Sequence, residues 1–361
     1  MSVFPDSPRP QPHSTPDSGR PAAEQPQPSG PLGPYTAVIG WAAALVLVAV
    51  AAVVAVWQVN EQIYTPQAAA EQYWEDVSSG SGGAAMGQLS STPEFLSEEG
   101  IDHLLLDGEP LSRSAQLLSG AQLTGENDDA EISFTVEDES LSTPIPVERM
   151  GTTWGFFDDW QVSPQALSWF EVEVPGAPQG GIGQVQVNGQ PVNLNEETAR
   201  LSAFVPTAAE ISVDSEWLVG GTTHVVTAAQ GEQSSAERVT LDLEASDAAV
   251  ELLHTEVEEF FNHCSDQQVL MPAGCPVGVT TAHRVDAESI EWSFPDPESF
   301  SLRFDADGWQ IDHDPLVAEV SFDATHHHTG EAITESKQVP FELDVQVGAS
   351  GEDLIVAVSG P

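Results

Sequence analysis

The chain has 361 residues, with 57 acidic and 9 basic side chains and a formal charge of −48. Contact with phosphate needs a basic surface, so a general nucleic-acid binder is excluded and attraction to anionic headgroups is disfavoured. No phosphate-cradling glycine loop, Gly-x-Ser-x-Gly elbow or His-Glu-x-x-His pair occurs, so no cofactor and no standard catalytic constellation is expected.

Residues 1–34 carry ten of the 27 prolines, among Ser, Gln and Gly. So little apolar surface cannot offset the entropy of ordering, which predicts a disordered, Pro-rich tail. Its Pro-x-x-Pro spacings (Pro5–Pro8, Pro28–Pro31) suit a proline-reading domain, but composition alone produces them. From Tyr35 to Val59 no residue is charged. Twenty-five helical residues span about 37 Å, enough to cross a bilayer, and Trp41 and Trp57 stand about 24 Å apart, near the two interfaces. Arg9 and Arg20 precede this stretch and no basic residue follows before Arg113. The positive-inside tendency therefore places the tail in the cytoplasm and residues 60–361 outside. A cleaved signal peptide competes, but the apolar run is long, the leader is not basic, and Val56–Val59 offers no small-x-small site. An uncleaved signal anchor at residues 35–59 is the reading adopted.

The exterior carries 7 basic and 54 acidic residues, with Lys337 the one lysine. Salt adaptation and a merely well-solvated acidic surface are both compatible with this, and screening of such self-repulsion favours the first. Residues 60–163 read as α+β. Thr65-Pro66 opens a helix with Ala70, Tyr73, Trp74 and Val77 on one face. Short helical pieces are expected at Ala84–Leu89 and Glu98–Leu106, then strands from Glu131 and at Pro146–Arg149, Trp154–Phe157 and Trp160–Val162. Residues 164–245 read as a small all-β module in which Asn188-Gly189 marks a hairpin. Residues 246–361 repeat the first plan. Ser246 caps a helix whose stripe is Val250, Leu253, Val257, Phe260 or Phe261, and Cys264, and alternating strands follow. Gly151–Phe156 and Gly308–Ile311 share a glycine followed by tryptophan, which makes an internal duplication plausible.

Three clusters bear on chemistry. Cys264 and Cys275 are the two cysteines, and outside the cell a structural disulfide is expected rather than metal thiolates or a reactive pair. His326-His327-His328 is the one histidine run. His326, His328 and His313 are the candidate metal ligands, although alternation in a strand and the flanking Thr329-Gly330 favour an exposed turn, so no metal is assigned. Asp305-Ala306-Asp307-Gly308 has its glycine two positions too early for a calcium loop and reads as a tight turn. Acidic pairs such as Asp158-Asp159 are unavoidable in a chain this acidic and carry no weight as an acid–base pair.

Residues 64–74 (Tyr-Thr-Pro-Gln-Ala-Ala-Ala-Glu-Gln-Tyr-Trp), 151–162 (Gly-Thr-Thr-Trp-Gly-Phe-Phe-Asp-Asp-Trp-Gln-Val) and the cysteine loop 264–278 resemble uncharacterised single-pass membrane proteins of actinobacteria. The resemblance implies cone-like helix-plus-sheet modules of the nuclear-transport-factor-like or cystatin-like kind, flanking a PEGA-type β module. It implies no activity. The leading expectation is thus a non-enzymatic envelope protein whose exterior binds a protein or a cell-wall component. The alternative is a small-ligand carrier or isomerase-type enzyme using a cone-fold cavity.

Overall fold

In a computed structural model, residues 34–125, 130–227, 237–351 and 353–360 are described, and the proline-rich tail expected at 1–34 lies outside them but for Pro34. Helix α1 (Pro34–Gln62) contains one continuous apolar span, Val38–Asn60, long enough to cross a membrane. Its leucines, valines and tryptophans are exposed on every face, whereas the helix of a soluble core would bury a stripe. A single-pass membrane protein fits this helix. The chain divides into two units, Met1–Ala55 and Val56–Pro361, and everything below concerns the second.

Thr65 begins helix α2 (Pro66–Ser78) as anticipated: its hydroxyl accepts the Ala68 amide at 3.1 Å, and Pro66 needs no amide partner at the first helical position. Ala70, Tyr73 and Val77 are buried on one face. Helix α3 (Gly82–Gly87) follows, and Gly82 is required there because a Cβ would meet the Leu106 carbonyl oxygen at 1.6 Å. The helix expected over Glu98–Leu106 does not form. Two 3₁₀ turns (Glu94–Ser97, Leu104–Leu106) flank a two-residue strand β1 (Ile101–Asp102), and helix α4 (Gly108–Leu117) comes after. The Gly108 amide donates to the Gly80 carbonyl, and Leu111 and Ser114 are buried. Tertiary contacts set these boundaries, not local periodicity.

Strands β2 (Ser119–Thr124), β3 (Ala130–Val136) and β4 (Glu139–Ile145) form one antiparallel sheet, with Ile132, Phe134 and Val136 inward as the alternation requires. Strands β5 (Val147–Thr153) and β6 (Phe157–Val162) pair with each other and with no other named strand among those described, and Val162 bridges to Leu89. Trp154 is not in a strand. With Gly155 it makes the turn of this hairpin, at φ 57° and 74°. Trp309, its supposed counterpart, lies in a strand, so the two Gly…Trp segments are not structural equivalents.

The middle region adds β7 (Leu167–Glu173), β8 (Gln184–Val187), β9 (Gln190–Asn193), β10 (Thr198–Phe204), β11 (Thr207–Asp214), β12 (Leu218–Val226), β13 (Glu237–Thr240) and β14 (Glu244–Ala245). They build two sheets, β1-β10-β7-β13 and β14-β12-β11-β8-β9. Phe170, Val172 and Leu201 from one sheet share a core with Val187, Ile211 and Leu218 from the other. Asn188 (φ 50°) and Gly189 (φ 79°) make the anticipated β8–β9 turn, whose positive φ values suit Asn-Gly. The first and middle regions interlock across Ser163. Strand β1 pairs with β10, Leu105 enters the middle core, and Phe204 and Ala208 enter the core around Tyr73.

Ser246 caps helix α5 (Asp247–Ser265) by accepting the Ala249 amide, and Ala249, Leu253, Val257, Phe261 and Cys264 are its buried stripe. Its partners are β15 (Arg284–Val285), β16 (Glu291–Ser293), β17 (Phe300–Asp305), β18 (Gly308–His313), β19 (Leu316–Thr325), β20 (Ala332–Phe341), β21 (Asp344–Ser350) and β22 (Asp353–Ser359). Their described pairings are antiparallel, so the unit is α+β. The β17–β18 turn is the tight turn anticipated at Asp305–Gly308, closed by the Asp307 amide donating to Asp305 Oδ1. Phe304, beside it, packs into the middle core.

Candidate functional site

Three places in Val56–Pro361 hold residues that could act on something outside the chain. The first surrounds Glu335. The Cys264 and Cys275 sulfurs lie at disulfide distance, 2.04 Å, and no other cysteine exists. Within the closed loop the Gln267 side chain binds both polar groups of Ala273, and the Trp292 indole donates to the Val269 carbonyl at 2.8 Å. The chain leaves this anchored loop along β20, where Thr281 and His283 meet Glu335. Thr281 donates to Glu335 Oε1 at 3.3 Å, His283 Nε2 is 3.6 Å from the same oxygen, and Lys337 Nζ is 3.1 Å from Oε2. The hydrogen bond from Lys337 holds the Glu335 carboxyl below its ordinary range. Burial opposes this, and the charges of Lys337 and His283 with the Thr281 hydroxyl assist it. Lys337 also donates to the Thr280 carbonyl and sits 5.7 Å from the Phe322 ring centroid. The lone lysine is thereby committed to holding the post-disulfide segment on β20.

The histidine run occupies the β19–β20 turn, as the sequence suggested. His326 Nδ1 accepts the amides of His328 and Thr329, and its ring lies 5.0 Å from that of His283. His313 ends β18, its ring lies tilted 5.1 Å from that of Phe300, and it shares a 2.9 Å hydrogen bond with the Asp314 carbonyl. It precedes β19 and His326 follows it. Ten extended residues, about 33 Å, separate the two ends, so His313 cannot share a metal with His326 or His328. Among the described residues no three His, Cys, Asp or Glu side chains gather as a ligand set.

The second place is a group of open clefts. One, of about 360 Å³, lies between Gly100–Asp102 and Val192–Arg200. Another, of about 830 Å³, is lined by Pro276, His313, Leu316, Phe341 and Leu343. Among buried polar atoms elsewhere, Thr207 Oγ1, His224 Nε2, His283 Nδ1 and Trp309 Nε1 have no hydrogen-bond partner among the described residues, whereas Tyr73 and Asn188 hold elements together. The Tyr73 hydroxyl reaches the Val205 and Ala166 carbonyls at 2.9 and 3.2 Å, and burial pushes its pKa up strongly. The Asn188 amide donates to the Pro110 carbonyl and to Ser114 Oγ, while its oxygen accepts the Glu210 amide. It thus joins α4, the β8–β9 turn and β11. Buried His224 lies 3.8 Å from Glu237, and burial lowers its pKa against the raising influence of that carboxylate.

The third place is the β5–β6 hairpin. Residues 150–157 are uncharged, Met-Gly-Thr-Thr-Trp-Gly-Phe-Phe, in a chain where 18% of residues carry charge. Trp154 is 86% exposed, Phe156 67% and Met150 51%. Beside its turn, Asp158 pairs with Arg149 and meets Asn60 twice: the Asn60 side-chain amide donates to Asp158 Oδ2 at 3.0 Å, and the Asp158 backbone amide to Asn60 Oδ1 at 2.9 Å. Tyr64 stacks on Phe157 with ring centroids 4.8 Å apart. The alternation around Trp154 predicts a strand, whereas the residue lies in the turn. Gly155 beside Trp154 was the available signal for the turn.

Comparison of the chain with models of protein families, with curated proteins and with solved structures finds no match.

Proposed function

We propose that this chain is a single-pass membrane protein, its N-terminal tail cytoplasmic and residues 60–361 outside, whose exterior binds another protein or a cell-wall component without catalysing a reaction. The observation that carries the reading is the apolar span Val38–Asn60, exposed on all faces and running directly into the folded unit. The two basic residues before the span, with none after it until Arg113, favour the orientation. An exterior location suits a cysteine pair at bonding distance. The packing of α5 on β16, β17 and β22 is compatible with a cone-like helix-plus-sheet module in the exterior. Binding rather than chemistry is supported by the structural use of Tyr73, Asn188 and Lys337, each spent on joining elements.

Native mass spectrometry of the full chain, extracted from its own membrane, tests this reading. A chain mass alone, or with a protein or glycan partner, is expected. A reproducible added mass of a small metabolite would replace it with the ligand-carrier or isomerase alternative.

A further inference from the structure

The β5–β6 hairpin is built as an arm with an apolar end. Its strands pair with no other strand among those described, so neither is held flat in a larger sheet. Glu148 and Arg149 lie toward its base, Asp158 and Asp159 lie opposite Thr152 and Gly151 beside the turn, and residues 150–157 carry no charge. Exposed Trp, Phe and Met side chains at one tip have no use in water, where they cost solubility. The turn end of the hairpin is clamped to the end of the apolar span. Asn60, the last residue of Val38–Asn60, makes the two-point contact with Asp158, and Tyr64 stacks on Phe157. Trp154 and Phe156 lie four and two residues before Asp158, so even extended chain keeps them within about 14 Å of the residue that Asn60 holds. Trp57, also exposed, is three residues before Asn60 on the same helix.

From this we infer that the arm is a second membrane contact, with Trp154, Phe156 and Met150 seated in the bilayer interface beside the exit of the span. The inference rests on the membrane reading proposed above. Its chemistry is that of aromatic belts, in which an amphipathic ring sits at headgroup depth while neighbouring charges stay in water. An exterior with 54 acidic residues against 7 basic cannot approach an anionic leaflet through electrostatics, so the contact its exposed aromatic rings offer is an apolar one. The occupant is therefore lipid acyl–headgroup boundary, not an anionic headgroup.

The test uses the full chain reconstituted in zwitterionic phosphatidylcholine vesicles, with an environment-sensitive fluorophore on Thr153→Cys, on Val50→Cys within the span, or on Thr329→Cys at the exposed β19–β20 turn. Both native cysteines are bonded and do not label. The Thr153 probe is expected to emit to the blue, to be quenched by lipids bearing a nitroxide near the headgroup, and to resist aqueous iodide several-fold better than the Thr329 probe. Combining it with Trp154→Ser and Phe156→Ser should abolish all three signs while the Val50 probe stays lipid-quenched. A Thr153 probe as open to iodide as the Thr329 probe, with Val50 in lipid, overturns the arm but not the span. A Val50 probe in water overturns the span itself. A Thr153 probe sheltered from iodide yet untouched by nitroxide lipid, with sheltering that grows with protein density, overturns the lipid contact in favour of a second copy of the chain.

Discussion

Replacing Tyr73 by phenylalanine removes a single oxygen from the centre of the first core, and the structure sets what that should cost. The hydroxyl serves two carbonyls, Val205 at 2.9 Å and Ala166 at 3.2 Å. Ala166 keeps a second donor, the Val205 amide at 2.8 Å, and is not orphaned. The Val205 carbonyl has no other partner among the described residues and would be left buried and unpaired. One unsatisfied buried carbonyl costs about 1–3 kcal/mol, with the aromatic packing on Phe204 retained. The pH dependence adds a second signature. Burial raises the Tyr73 pKa above its ordinary 10.0, so the folded chain keeps a proton that the unfolded chain releases. Stability from this group is therefore full below pH 10 and falls as pH rises, by about 1.4 kcal/mol by pH 11. Tyr73→Phe lacks that loss. Urea unfolding of the detergent-held chain, followed by tryptophan fluorescence, should show the variant weaker by about 2 kcal/mol at pH 8, with the gap shrinking by about 1.4 kcal/mol at pH 11. A gap below about 0.5 kcal/mol at pH 8, or one constant across that range, would refute the role assigned to the hydroxyl.

Asn188→Ala removes three hydrogen bonds and a residue suited to positive φ, and should destabilise on the order of 3 kcal/mol in the same urea titration. A loss no larger than that of an exposed alanine substitution would show that α4 is held otherwise. Cys264→Ser with Cys275→Ser should cost about 2–4 kcal/mol, and mass spectrometry of the unreduced wild-type chain after alkylation should find neither cysteine modified. The lowered pKa of His224 means the unfolded chain binds its proton first as pH falls below 6.5. Melting temperature should drop between pH 7 and pH 5, with a shallower slope in His224→Gln, and equal slopes would contradict this. If acidity reflects salt adaptation, the melting midpoint should climb from low to molar NaCl. A flat response would leave a merely well-solvated surface.

Much of the architecture was legible because single residues dominate their surroundings. Thr65-Pro66 and Ser246 start helices through local capping, Asn188-Gly189 turns a hairpin through its own backbone preference, and the uncharged run from Tyr35 needs no partner to be recognised. What escaped is decided at a distance. Strand β10 (Thr-Ala-Arg-Leu-Ser-Ala-Phe) and strand β20 (Ala-Ile-Thr-Glu-Ser-Lys-Gln-Val-Pro-Phe) have weak apolar alternation and are strands because β7 and β19 pair with them along their whole length. Helix α4 opens with Gly-Glu-Pro and depends on Gly80 and Asn188, far away in sequence. The Glu335 cluster joins three segments through Lys337 and the cysteine loop, which no spacing rule could assemble. Trp154 misled because its neighbours alternate like a strand, while Gly155 beside it supplies the turn.

The central claim, one span with residues 60–361 outside, is tested most directly by labelling intact cells with a membrane-impermeant maleimide. The two chains to compare carry Ser14→Cys and Thr329→Cys, and the bonded native pair stays silent. The account predicts that the Thr329 site labels in intact cells and the Ser14 site only after permeabilisation. Labelling of Ser14 in intact cells, or of Thr329 only after permeabilisation, would contradict it.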